Sequence, residues 1–251
     1  MCVYFIILSL RGRYFRNVLS FIDTAKEGNT KALKDLFMKE FSSSCNIQEV
    51  VLPKDFSKVC LGCANCILKG ENYCPHHQEV YPILKKILNS DILVFSSPVI
   101  VMSVSSAMKM FLDHLAYMWM AHRPEEKMFS KVGLVIYTAG GAGMKDTVKL
   151  LKNNMENWGV KKVFSFGITT MKMKGNYSEY KRKDKVEKKV KKLALKVKKH
   201  TGKKTGLKMR ILFNIFRLNQ LNSWIKMDHD HWEERGWLNK ERPYKHKEKK
   251  R

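Results

Sequence analysis

The stretch "DILVFSSPV", Asp91 to Val99, sets the architecture of this chain. Its apolar run is continuous rather than alternating, which is the pattern of a strand buried on both faces in a parallel sheet covered by helices. Pro98 cannot donate to a ladder and marks the strand's end. Outward from it, β-rich runs alternate with helical periodicity. Upstream, "NVLSFID" (Asn17 to Asp23) reads as a strand and Lys31 to Phe41 as a helix, with Leu33, Leu36, Phe37 and Phe41 on one face. "IQEVVLP" is a second strand closed by Pro53, and Val80 to Leu88 a second helix. Downstream come a helix from Ser106 to Met120, a strand "KVGLVIYTAGG", a helix from Lys145 to Trp158 and a strand "KVFSFGITT". Strands and helices in strict alternation predict an α/β fold, a five-stranded, doubly wound parallel sheet with right-handed crossovers.

The 251 residues are 44% apolar and 28% charged, ordinary for a globular chain, but the net charge is +25. That charge is uneven: Tyr180 to Lys204 holds thirteen Lys or Arg against Asp184 and Glu187. Val186, Val190, Leu193, Ala194 and Val197 keep helical spacing there, so the segment reads as a basic helix with one buried stripe. No aromatic residues interleave with its lysines, so no nucleic-acid partner is expected. "MCVYFIILSL" is interrupted by Arg11 and Arg13, too short to cross a bilayer, and lacks a basic start and a cleavage site. The chain is therefore expected to have no transmembrane segment and to be cytoplasmic, with Cys2 and Cys45 as unpaired thiols. The expected layout is an N-terminal extension at 1–16, a domain at 17–175 with a cysteine-rich insertion at 58–79, and a basic helical extension at 176–251. In that extension Leu207 to Met227 reads as one amphipathic helix, whose apolar face must cover a core, a partner copy or a membrane surface. Asp228, His229, Asp230 and His231 read as a solvated turn.

In doubly wound sheets a ligand sits outside the carboxyl ends of the strands, where the strand order reverses. Three strand-end loops stand out, at 23–30, 96–109 and 138–144. The first places Gly28, Asn29 and Thr30 at a helix mouth, where free N–H groups and the dipole favour an anion, with Lys26 as an additional donor. The second, holding Ser97, Pro98, Val99, Ile100 and Val101, is polar and turn-rich and suits a flat ligand. The third, Thr138, Ala139, Gly140, Gly141, Ala142 and Gly143, has three glycines that permit close backbone approach. A phosphate site beside two ring-lining loops fits a mononucleotide such as FMN.

Cys60, Cys63 and Cys66 are spaced by two, and Cys74-Pro75 follows. Structural zinc usually takes two well-separated pairs, whereas overlapping C-x2-C steps suit a cuboidal iron-sulfur cluster. A cluster, reduced thiols or a redox disulfide, and zinc recruiting His76 or His77 all remain open on spacing. Both histidines read as exposed loop residues.

The ordered set "GNT", "CLGCANC...C", "SSPV...SVSSAMKMFLDH" and "TAGGAG...WG" resembles the flavodoxin-like NAD(P)H-dependent FMN oxidoreductases, in the branch of the iron-sulfur flavoproteins. The resemblance implies FMN held by Gly28 to Thr30 at its phosphate and by Ser97 to Val101 and Thr138 to Gly143 at its ring. It implies a four-iron four-sulfur cluster on Cys60, Cys63, Cys66 and Cys74. It further implies NAD(P)H or a reduced protein as donor, a small-molecule or protein redox partner, a homodimer or higher homo-oligomer, and no catalytic acid or base. Asp23 stands where the family has a phosphate-binding Ser, Ile100 where it commonly has Tyr, and His114 where it usually has Arg. The alternatives are a flavodoxin-like electron carrier without enzymatic activity, and a zinc-stabilised basic binding protein with a degenerate flavin site.

Overall fold

All five expected strands form: β1 (Arg16–Ile22), β2 (Cys45–Val51), β3 (Ile92–Pro98), β4 (Val132–Ala139) and β5 (Lys162–Thr169). A computed structural model describes residues 16–23, 27–170, 180 and 182–245 of the chain. Lys26, Cys2 and all of the N-terminal extension except Arg16 lie outside the described residues. The strands pair in parallel in the order β2-β1-β3-β4-β5. The chain crosses from β2 over β1 to β3, so the order reverses between β1 and β3.

Each strand feeds two cores, because successive side chains point to opposite faces. In β3, Leu93 and Phe95 join one core with Val80, Ile83, Ile87, Phe111, Leu151 and Trp158. Ile92 and Val94 join the other with Leu33, Phe37, Val190 and Ala194. Thus the helices α3 (His77–Asn89), α4 (Ser106–Asp113) and α5 (Met144–Asn157) cover one face, while α1 (Asn29–Ser42) and α6 (Lys183–Thr201) cover the other. The buried stripe of α6 is Val186, Val190, Ala194 and Val197, as its spacing predicts. Full burial of side chains such as Phe95 contributes about 2–3 kcal/mol each.

Three readings of the sequence are corrected. The helix expected from Ser106 to Met120 ends at Asp113, and the chain continues as a 3-10 turn at Ala116–Met118. The single helix expected from Leu207 to Met227 is two, α7 (Leu207–Gln220) and α8 (Lys226–Glu234), with Leu221 to Ile225 as the corner. The solvated turn expected at Asp228 to His231 is the first part of α8, and Asp228 is fully buried. These helices build a third, smaller core in which Phe213 stacks on Trp232 with ring centroids 4.9 Å apart, against Phe129 and Trp237. A four-residue helix, α2 (Asn65–Leu68), carries Cys66 and has no periodic signal in the sequence.

Candidate functional site

The three strand-end loops meet at the reversal between β1 and β3. Pro98 pairs with Thr138 in register, and the Val99 N–H donates to the Thr138 carbonyl at 2.7 Å. Across from them the Thr30 and Thr138 hydroxyls lie 2.6 Å apart. Thr30 is buried, so its hydroxyl ties the first loop to the third rather than facing open solvent.

Gly28 precedes α1, and among the described residues no side chain caps that helix. Its first turn holds no acid, and a Cβ at Gly28 would meet nothing within 4 Å. This is the positive end of a fourteen-residue helix, which suits a phosphate. The Asn29 Oδ1 is buried without a partner among the described residues.

Asp23, where a carboxylate would repel a phosphate, is buried and paired. The Ser97 hydroxyl donates to its Oδ2 at 2.7 Å, and the Ser105 N–H donates to Ser97 Oγ at 3.2 Å. Burial pushes the Asp23 carboxyl above its usual range, with hydrogen bonds from Ser105 and Ser97 opposing the rise. Ser105 also caps α4, its Oγ accepting from the Met108 N–H at 3.2 Å.

Beyond Pro98 the chain turns tightly, with Ile100 and Ser103 exchanging N–H···O bonds of 2.9 and 3.0 Å. Val101 and Met102 are held at φ of 44° and 65°, a left-handed conformation costly for side chains bearing a Cβ and above all for a β-branched one. Ile100, Val101 and Met102 are exposed despite being apolar. A strained, apolar, exposed turn at a strand end has the character of a ligand contact. Gly143 seats against it at φ 78°, where a Cβ would lie 2.7 Å from Met102 Cα and Val99 Cγ1. Gly140 meets nothing within 4 Å. A separate open cleft, lined by Tyr137, Lys145, Lys149 and Lys152, borders α5 and takes only Met144 from the three loops.

The cysteine loop follows the carboxyl end of β2, at the same edge of the sheet as these loops. All four thiols are free, Cys63 exposed and Cys60, Cys66 and Cys74 half-buried. Burial first, then the neighbouring thiols Cys74, Cys60 and Cys63, push the Cys66 thiol up, while Arg123 pulls it down. Burial likewise raises Cys74, opposed by the His76 N–H. The donor set is right for a cluster in kind. Among the described residues, however, no three His, Cys, Asp or Glu side chains converge as a metal site, so the four thiols share a neighbourhood rather than a closed coordination sphere.

His76 and His77 are half-buried at the start of α3, not exposed loop residues. The Met110 carbonyl only accepts, so His114 Nδ1–H donates to it at 2.8 Å. His114 Nε2 then accepts from His76 Nδ1–H at 2.9 Å, and burial holds the pKa of His114 below the ordinary imidazole value. His77 Nδ1–H donates to the Glu71 carbonyl at 3.1 Å.

Arg123, which the sequence did not single out, and Asp228, which it placed in a solvated turn, fix this region. Arg123 Nη1 donates to the Ile67 carbonyl at 3.0 Å and to Asp228 Oδ1 at 2.5 Å, and Nη2 donates to the Cys66 carbonyl. Asp228 Oδ2 also accepts from His122 Nδ1 at 2.7 Å. Arg123 thus covers carbonyls at the end of α2 while α8 holds its charge. Arg123 lies in an irregular segment before Pro124 without periodic context, and only its partner makes its role visible.

A parallel sheet in the order 2-1-3-4-5, reversing between β1 and β3, defines a flavodoxin-like fold. The chain matches the family of NADPH-dependent FMN reductases over residues 17–172 and belongs to it. It is 30% identical over 138 residues to an iron-sulfur flavoprotein of Archaeoglobus fulgidus, covering 54% of this chain and 60% of that relative's length. Among solved structures it resembles an FMN-dependent NADH-azoreductase of Bacillus anthracis in complex with FMN. That match has a TM-score of 0.57 at 13% identity and covers 73% of this chain and 99% of the other. It also resembles an NAD(P)H:quinone oxidoreductase of Methanothermobacter marburgensis, with a TM-score of 0.56 at 14% identity over 73% and 98% of the two chains. At these identities the structural likeness establishes the fold.

Proposed function

We propose that the chain is an FMN-dependent oxidoreductase moving electrons from NAD(P)H or a reduced protein donor to a small-molecule or protein acceptor. The observation that carries this reading is the meeting of an uncapped helix N-terminus, a strained apolar turn and a glycine seat at the reversal point. FMN, when bound, supplies the hydride-accepting and electron-releasing chemistry. The residues bind and orient: the N–H groups at Gly28, Asn29 and Thr30 receive the phosphate, with Lys26 as the further donor read from the sequence. Ser97 to Val101 and Thr138 to Gly143 line the ring, and Ile100 to Met102 exclude water from it. The Thr30–Thr138 pair holds the phosphate loop and the ring loop in one register. No side chain is assigned a proton transfer.

We further assign Cys60, Cys63, Cys66 and Cys74 as the ligands of an iron-sulfur cluster. Their grouping, and the likeness to a relative of that name, support it. Closing that site requires the four side chains to turn toward one another. We place the protein in the cytoplasm, where such thiols stay reduced, as a homodimer or higher homo-oligomer.

Protein purified without air should be yellow, and its flavin band should bleach on anaerobic addition of NADH or NADPH. A bound flavin that neither nucleotide bleaches would sink the enzyme reading and leave the electron carrier. Iron and acid-labile sulfide, assayed per chain, decide the cluster independently: zinc without iron removes it.

A further inference from the structure

Helix α7 has two apolar faces, and only one is used. Met209 and Phe213 point into the third core, and Gln220 Nε2 anchors the helix end on the Ala121 carbonyl at 2.5 Å. On the outer side Leu207, Ile211, Ile215 and Leu218 follow one another at steps of four, four and three, which is one face of a helix. They are 70%, 51%, 51% and 56% exposed, and Trp224, in the corner beyond, is 83% exposed. Nothing among the described residues covers this stripe.

The charges around the stripe choose its occupant. Helix α7 contains Lys208, Arg210 and Arg217 and no Asp or Glu, and Lys203 and Lys204 stand just before it. Arg217 Nη1 donates to the Leu238 carbonyl at 2.6 Å, and Arg210 lies over the Tyr244 ring, so neither of these two cations is neutralised by an acid there. Lys208 is 2.6 Å from Glu156 and is the one paired cation of the helix among the described contacts. Two copies of α7 laid face to face about a two-fold axis would bring cations against cations without an acid in either helix. An anionic surface has the opposite sign. An apolar stripe flanked by Lys and Arg, with a Trp at its end, is the composition of a helix lying in a membrane interface. No helix among the described residues is long and apolar enough to cross a membrane, so the contact is with the surface.

We propose that the outer face of α7, with Trp224, docks the protein on an anionic phospholipid surface. The flavin assignment does not bear on it: the stripe belongs to the third core and not to the strand-end loops. The homo-oligomer proposed above then uses another face.

The test is sedimentation of the full chain with vesicles of phosphatidylglycerol or of phosphatidylcholine. Binding to phosphatidylglycerol should exceed that to phosphatidylcholine by about tenfold or more and weaken as salt rises. Trp emission should shift to the blue on binding, and the Trp224→Phe variant should lose that shift. Ile211→Glu/Ile215→Glu, at exposed positions, should lose about tenfold or more in vesicle binding with melting temperature and light-scattering mass unchanged. Equal binding to both lipids, or none, overturns the proposal. So does a fall in mass in the double variant, which would make a second copy the occupant.

Discussion

Gly143 is where the candidate site is most sensitive to a single atom. Its φ of 78° costs a residue with a Cβ about 1–2 kcal/mol, and that Cβ would press on Met102 Cα, a backbone atom with little room to give. Gly143→Ala should lower stability by about 2 kcal/mol in urea unfolding and weaken FMN about tenfold in a fluorescence titration. Gly140→Ala, where a Cβ meets nothing within 4 Å, should leave the fold's stability unchanged. At this scale the sequence singles out three loops that the fold brings together, but not their internal bonds. Three glycines in six residues announce a close approach, whereas the Thr30–Thr138 pair joins positions 108 residues apart and leaves no local trace. The same holds for Asp23, whose partner Ser97 lies 74 residues away.

Among the elements, the central strands β1, β3 and β4 were legible because a strand buried on both faces is written mostly in apolar residues. The break between α7 and α8 was not, because the apolar periodicity runs on through Leu221 and Trp224 past the end of the helix. Asp228 was misread for a related reason. A charged residue defaults to solvent, and its partner Arg123 is 105 residues away. That pair joins two elements, the cysteine helix and α8, and its energetics follow from its burial: the side chains are 5% and 1% exposed. Removing Asp228 leaves the buried guanidinium with only the partly exposed Glu71, 3.7 Å away, so Asp228→Ala should cost about 3–5 kcal/mol. Arg123→Met/Asp228→Leu should recover much of that loss, and a double-mutant cycle in urea measures the coupling. The single variant should also expose Cys66 and speed its reaction with a thiol reagent.

For the molecule as a whole, pH acts through a histidine of the third core. Burial, aided by Arg235 and opposed by the hydrogen bond to the Pro124 carbonyl, holds His231 down to about 3 from 6.5. Between those values the unfolded chain binds a proton that the folded chain refuses, so stability present at neutral pH is lost as pH falls from about 6.5 toward about 3. The loss is at most about 5 kcal/mol. In His231→Gln, which keeps a donor for Pro124, the fall in unfolding free energy between about pH 7 and about pH 4 should be smaller than in the parent chain. The third core also sets an order in time. Synthesis runs from the N-terminus, so the cysteine loop and Arg123 leave the ribosome well before Asp228 does. Until α8 has followed and folded, the guanidinium has Glu71 beside it but lacks its buried partner Asp228. The clamp on the cysteine loop is therefore complete only after translation has passed residue 228.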